Sequence, residues 1–387
     1  MDEKKKAPKL RFKGFTDDWK QRCLIEMLAQ PITDGPHETP NLVKRGIPFI
    51  SVEAVMNNRL DFTRKRGFIS SEYNDQCNKK YKPQLHDVYL VKSGSTVGKV
   101  AIVETNMVFN IWSPLAAMRV NEFNNAYFLY YLLQTDNLQD QIKKKSKGGT
   151  QPNLSMRILE KCITNSTNLK EETQIALILN KVDKLLLLQQ RKLEQLKSIK
   201  KAMLQKLFVN KDMPILHFKG FNNIWKRSKL GNITKTISSK PYISGAYEEG
   251  KYEVVQQGDH PIAGYSNDIP FKNYKDVTLF GDHTLSLFKP RKAFLIASDG
   301  IKILSPSVTM DSLFYYYLLE KYKPRSEGYK RHFSILKKGV ALFPVSINEQ
   351  TQIAHVLIII DKTISLQQER IEKLRNYKQF ILQNMLI

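Results

Sequence analysis

From Ile175 onward, apolar residues fall alternately four and three positions apart: Ile175, Leu179, Val182, Leu186, Gln189, Leu193, Leu196, Lys200, Met203 and Leu207. The same spacing returns near the other end of the chain as Ile353, Leu357, Ile360, Ile364, Gln367, Ile371, Leu374, Lys378, Ile381 and Met385. Eight of the ten positions are apolar in each run, and Gln and Lys interrupt both runs at the same places. A 3.5-residue period held this long predicts a helix whose seam packs on another helix in a coiled coil, rather than one lying on a globular core. The paired Gln can fix register at some cost in stability. Each run of about 38 residues makes a helix ~57 Å long.

The two helices close two copies of one unit. Residues 8–19, PKLRFKGFTDDW, return as PILHFKGFNNIW at 214–225. EETQIA at 171–176 returns as EQTQIA at 349–354, so the middle of the first copy is longer than that of the second. Between the markers the helical period is lost. Short apolar or alternating runs at Val88–Val91, Val100–Val103, Thr278–Phe280, Leu285–Phe288 and Ala293–Ala297 are cut by Gly, Pro, Asn and Asp. They predict short strands of an irregular α+β domain. An aromatic helical stretch follows in each copy, Ala126–Leu133 and Ser312–Leu319, with most of its rings expected in the core. The expected organisation is a mixed α/β domain at 1–165, a long helix at 166–212, a second domain at 213–345 and a second helix at 346–387. Two like helices would make a pseudo-twofold scaffold.

Charge narrows the function. Lys and Arg number 61 against 37 Asp and Glu, a net +24, which attracts polyanions. The longest apolar runs, Leu185–Leu188 and Val356–Ile360, fall far short of the ~20 residues that span a bilayer. The opening Met1-Asp-Glu-Lys-Lys-Lys has no apolar signal region. A cytoplasmic protein without a membrane partner is expected. Cys23, Cys77 and Cys162 lie far apart with no second Cys or His at ligand spacing, so no metal site and no disulfide framework is indicated.

Recognition chemistry concentrates in basic, Gly-containing loops after each aromatic stretch. In the first copy these residues are Lys143, Lys144, Lys145, Lys147, Thr150, Gln151 and Asn153; in the second, Arg325, Tyr329, Lys330, Arg331 and His332. Lys and Arg neutralise phosphates, whereas Gln, Asn and Arg reach base edges. A second candidate turn, Lys92-Ser-Gly-Ser-Thr-Val-Gly-Lys99, offers Lys92, Ser93, Ser95, Thr96 and Lys99. It is one residue short of a nucleotide-binding P-loop, and Val100 stands where that loop needs Ser or Thr. Tyr265, Asn267, Lys289 and Arg291 are candidates of the same kind in the second copy. Catalytic signatures are missing: no G-x-G-x-x-G, no H-E-x-x-H, and no Asn/Asp-Pro-Pro-Tyr/Phe for gripping a flipped base. That weighs against a methyltransferase or nuclease carrying its own recognition domain. A coiled-coil RNA-binding or structural protein fits less well too, because the aromatics sit at helical spacing in apolar surroundings rather than as stacking platforms.

The pattern resembles the specificity subunit of type I restriction–modification systems over nearly the whole chain. The resemblance rests on the tandem layout, the P-x-L-x-F-x-G-F…W opening, DVYLVKSGSTVGKVAIVE at 87–104, GGTQPNLS at 148–155 and the E-x-T-Q-I-A helix openings. In the second half Gly328-Tyr-Lys-Arg-His-Phe-Ser334 stands in place of G-T-Q-P-N-L-S. The resemblance implies two target-recognition domains, each reading half of a split, asymmetric duplex DNA sequence. It implies two helices packed antiparallel through Ile175, Leu179, Leu186, Gln189, Leu193, Leu196 and Ile353, Leu357, Ile364, Gln367, Ile371, Leu374. It also implies two partner modification subunits that bind S-adenosylmethionine, and endonuclease–translocase subunits that use ATP and magnesium. The specificity chain itself would hold no cofactor and catalyse nothing.

Overall fold

The computed structural model describes residues 7–146, 152–208, 214–216, 218–221, 223–328 and 330–386. It has the α+β architecture expected, with two tandem domains built on one plan. The first domain has a four-stranded antiparallel sheet in the order 33–34, 115–118, 88–91, 100–102. Beside it lies a three-stranded sheet, 67–69, 47–50, 110–111, whose last pair is parallel. The second domain repeats both sheets: 234–237, 301–306, 278–281, 287–288, and 262–266, 252–255, 294–296, again with a parallel last pair. A two-stranded ribbon ties each domain's start to its end, 20–23 with 163–166 and 226–229 with 340–343.

The apolar runs are buried on both faces. In Val88–Val91, Val88 and Leu90 enter one core, whereas Tyr89 and Val91 enter another. The same division puts Phe280 and Leu304 in one core of the second domain and Leu279 and Ile303 in the other. Strand side chains alternate faces, so a strand between two cores reads as a continuous apolar run.

Eight helices are described: α1 (Ser71–Lys80), α2 (Ala126–Leu132), α3 (Asp136–Lys145), α4 (Met156–Glu160), α5 (Leu169–Leu207), α6 (Ser312–Tyr322), α7 (Phe333–Lys338) and α8 (Ile347–Met385). The aromatic helices α2 and α6 start at side-chain caps: Asn125 accepts from Phe128 N, and Asp311 from Leu313 N and Phe314 N. Helices α1 and α3 and the hairpin of strands 55–56 and 59–60 have no counterpart among the described residues of the second domain. They account for the longer first middle. One expectation is corrected here. Lys143, Lys144 and Lys145 do not begin a loop; they form the last turn of α3. Leu138 and Ile142 bury one face of that helix, and its C-terminal carbonyls favour the lysines.

The long helices have 39 residues each, and every seam position is buried or half-buried. The chain divides into two compact units, residues 1–189 with 370–387, and residues 190–369. These cut across the four segments read from the sequence, because each unit takes half of each helix. In the first unit Ile175, Leu179 and Val182 share a core with Ile381 and Met385. In the second, Leu207 and Phe208 share one with Ile353 and Leu357. The start of one helix therefore lies beside the end of the other, which makes the pair antiparallel. No described helix is long and apolar enough to cross a membrane.

Candidate nucleic-acid interface

The repeated sequence markers prove to be one buried frame built twice. Trp19 Nε1 donates to Glu171 Oε2 at 3.2 Å, and Trp225 Nε1 donates to Glu349 Oε1 at 3.1 Å. Burial alone would raise the Glu171 pKa, but the bonds from Arg11, Thr167 and Trp19 outweigh it and hold the acid below its ordinary value. Next in each helix, Glu172 accepts from Asn125 N and Gln350 from Asp311 N, both at 2.8 Å. These are the capping residues of α2 and α6. The E-x-T-Q-I-A motif thus seats each domain's aromatic helix on the start of its long helix.

The lysine that interrupts each seam has its own duplicated partners. In the first unit Lys378 Nζ lies 2.8 Å from Asp183, whose other oxygen accepts from Tyr131 Oη at 3.0 Å. In the second, Lys200 Nζ lies 2.8 Å from Asp361 and from Glu320, and Tyr317 Oη donates to Asp361 at 2.9 Å. Each ammonium also faces its tyrosine ring, at 5.4 and 5.7 Å. Lysine and aspartate come from opposite helices and the tyrosine from the recognition domain, so one polar cluster joins three elements. Reading the sequence for apolar periodicity missed Asp183, Asp361, Tyr131 and Tyr317. The signal was available, since Asp183 and Asp361 follow Val182 and Ile360, a matched pair of seam positions, and the tyrosines hold the same place in their helices.

The first domain brings two candidate loops together. Ser93 Oγ donates to Asn153 Oδ1 at 2.7 Å, Gly94 N donates to Pro152 O, and Leu154 N donates to Lys92 O. The turn is shaped by Gly94 and Gly98, at φ +92° and +94°; a Cβ on Gly98 would meet Gln139 Oε1 of α3 at 2.6 Å. Ser95, Lys99, Lys143, Lys144, Lys145 and Asn153 are exposed, and Ser93 and Thr96 are half-buried. Lys92 is internal, 3.2 Å from buried Asp34, which Lys80 and His37 also approach. Lys147, Thr150 and Gln151 lie outside the described residues.

The second domain repeats the junction with different side chains. His332 N donates to Asp282 O at 2.8 Å, where the first copy has Leu154 N on Lys92 O. His332 itself is fully buried: Nδ1 lies 3.1 Å from Asp282 O, and Nε2 accepts from Glu327 N. Lys289 is also taken up internally by the carbonyls of Lys275, Val277 and Ser312. Its burial pushes the ammonium pKa down to about 8, against smaller opposing effects of Asp276 and Asp311. Tyr265, Asn267, Arg291, Arg325, Lys330 and Arg331 are exposed. Asn267 Oδ1 accepts from Lys251 N, and Lys330 pairs with Glu327 at 3.3 Å. Tyr329 lies outside the described residues. Among the described residues no cluster of His, Cys, Asp and Glu could hold a metal ion.

Two domains of one plan, each presenting a basic turn at its strand ends and each locked to a helix pair, define a two-part nucleic-acid-reading scaffold. Residues 17–198 and 222–376 match the type I restriction modification DNA specificity domain, and the chain belongs to that family. It is a type I specificity subunit, without catalytic activity of its own. It is 25% identical over 407 residues to a protein assigned as the MjaX type I restriction enzyme specificity subunit of Methanocaldococcus jannaschii, covering 96% of this chain and 93% of that one. The MjaVIII specificity subunit of the same organism is 25% identical over 370 residues, 83% of each chain. The fold is shared with the type I restriction-modification S subunit from M. genitalium, at a TM-score of 0.67 and 14% identity over 98% of this chain and 99% of that one. A chain from a study of complex assembly and conformational transition in the type I R-M system superposes at a TM-score of 0.52, with 17% identity over 94% and 96% of the two chains.

Proposed function

We propose that each recognition domain reads one half of a split, asymmetric duplex DNA sequence, and that the chain directs adenine methylation and restriction by partner subunits. The observation that carries this reading is the junction built twice at the strand ends with different side chains around it: half-buried Ser93 and exposed Asn153 in one domain, exposed Lys330 and Arg331 beside buried His332 in the other. Like frames with unlike surfaces suit two unlike half-sites. The proposed contacts in the first domain are Ser93, Ser95, Thr96, Lys99, Lys143, Lys144, Lys145 and Asn153. In the second they are Tyr265, Asn267, Arg291, Arg325, Lys330 and Arg331. Lys92, Lys289 and His332 are left out because internal hydrogen-bond partners occupy them.

Two modification subunits, which bind S-adenosylmethionine, would dock on the helices, and endonuclease–translocase subunits using ATP and magnesium would join for cleavage in the cytoplasm. Support for two like partners comes from exposed apolar side chains off the seam. Leu188 and Ile199 on α5 recur at the equivalent places of α8 as Leu366 and Tyr377. Equivalent positions on two helices offer equivalent surfaces to identical partners.

The basic turn of α3 gives a direct test. Replacing Lys143, Lys144 and Lys145 together by Gln should weaken binding to every duplex sequence. It should also reduce the slope of log K against log salt by up to about 2.7, three phosphates at ~0.9 each. Titrations of the assembled methyltransferase complex at several salt concentrations measure both quantities. An unchanged slope would remove this helix from the interface.

A further inference from the structure

The first domain carries a second cationic surface that the candidate loops do not include. The edge around strands 47–50 and 67–69 presents Lys44, Arg45, Arg64 and Arg66 to solvent. Arg64 pairs with Asp61 at 3.5 Å. Arg66 lies on a ring instead: its guanidinium carbon is 4.0 Å from the centre of the Trp112 ring. The platform is itself fixed. Trp112 Nε1 donates to Glu38 O at 3.0 Å, and Trp112 N donates to Ile50 O at 2.9 Å. Arg66 N donates to Phe49 O at 2.9 Å, which holds its backbone in register. Among the described residues no carboxylate pairs with Arg66. Trp112 also borders the turn already described: Lys92 N donates at 2.9 Å to the carbonyl of Pro114, just beyond it in the chain. The stacked arginine and the Ser93–Asn153 junction are therefore joined through one short stretch of backbone.

We infer that Arg66, positioned by Trp112, is a sequence-reading residue of the first recognition domain, and that its ligand is the major-groove edge of a guanine. A stacked guanidinium keeps its N–H edge free while losing most of its rotamer freedom beforehand. That edge offers two parallel donors, which match guanine O6 and N7. An exposed lysine nearby, such as Lys44, has neither the plane nor the fixed position and serves only as a point charge for phosphates. The assignment rests on the proposed DNA-reading role and adds to it the base that one side chain selects.

The test is selection from a duplex library randomised in both half-sites. It uses the assembled methyltransferase complex carrying wild-type chain, Arg66→Ala, Arg66→Lys or Trp112→Leu. The wild type should enrich a split motif with a guanine in the half-site read by residues 1–165. Arg66→Ala and Arg66→Lys should both lose discrimination at that one guanine by roughly 10- to 100-fold. The other half-site should stay unchanged. Trp112→Leu should give a partial loss at the same position. A uniform loss on all sequences with a lower salt slope, or full retention by Arg66→Lys, would make Arg66 a phosphate anchor and overturn the inference. An unchanged profile in all variants would also overturn it. Failure of the wild type to enrich any motif would instead count against the DNA-reading role itself.

Discussion

Replacing Lys378 by Met should make the first unit easier to open by about 2–3 kcal/mol, whereas removing its partner as well should restore most of that loss. The ion pair with Asp183 is largely desolvated, at 15% and 14% side-chain exposure. Taking away one member leaves a carboxylate in a half-buried place with only the Tyr131 hydroxyl beside it, and such an orphan costs more than the pair contributes. Burial first, and then Asp183, raise the pKa of Tyr131, so the hydroxyl remains a donor and supplies no charge. In the double variant Asp183→Asn with Lys378→Met the uncompensated charge is gone. Hydrogen exchange over Ala126–Leu132 reads the effect where the cluster holds the recognition domain. The equivalent amides of Ser312–Tyr322 report on the duplicate around Lys200 and should not change. Equal losses in single and double variants would mean that packing, not the ion pair, seats α2.

Glu172→Gln should stabilise the protein increasingly as pH rises. Glu172 is fully buried, and burial pushes its pKa to about 8, against smaller opposing effects of the Asn125 amide and Arg22. Its Oε1 has no hydrogen-bond partner among the described residues. The second copy shows what the position wants: Gln350 accepts from Asp311 N and donates its amide to Pro344 O at 2.8 Å. A protonated acid can fill both roles, but a carboxylate can only accept. The folded state therefore keeps a proton that the unfolded chain releases near the ordinary value of 4.5. Where the folded state binds more protons, stability falls with rising pH, here from about 4.5 up to about 8. Glutamine does not titrate, so its advantage should be near zero at about pH 4.5 and reach roughly 2–4 kcal/mol by about pH 7. Denaturant unfolding of both chains between about pH 5 and 8 measures the difference. A constant difference across that range would show that Glu172 is ionised when folded.

Much of this architecture could be read from the chain because it repeats. Seam positions matched one for one between the two runs announced both long helices, and Val88–Val91 and Thr278–Phe280 declared themselves as strands by being apolar throughout. Helix α1 gave no such signal. Its sequence, SEYNDQCNKK, is polar all round and buries only Asn74 and Cys77, so no apolar stripe marks it. Helix α3 has only Leu138 and Ile142 to show, and its lysines disguise its end as a loop. The parallel pairing of 47–50 with 110–111 joins segments far apart in the chain through a very short strand, beyond the reach of local patterning.

The interface was legible in kind but less so in detail. Net charge and turn chemistry marked the stretches from which the proposed contacts are drawn. Whether a polar side chain faces solvent depends on partners supplied from elsewhere, however. Asp34 takes Lys92 inward, three carbonyls take Lys289, and the Asp282 carbonyl and the Glu327 amide hold the His332 ring. Arg66 shows the reverse, because its platform Trp112 lies far along the chain and only the fold brings them together.

The most direct test of the whole account is to co-express the chain with the adenine methyltransferase subunit of its own system and map methylated adenines in the host DNA. One split, asymmetric motif is expected, and replacing residues 226–340 with the corresponding segment of another such protein should change only one half of it. No methylation that depends on this chain, or a change in both halves on that exchange, would contradict it.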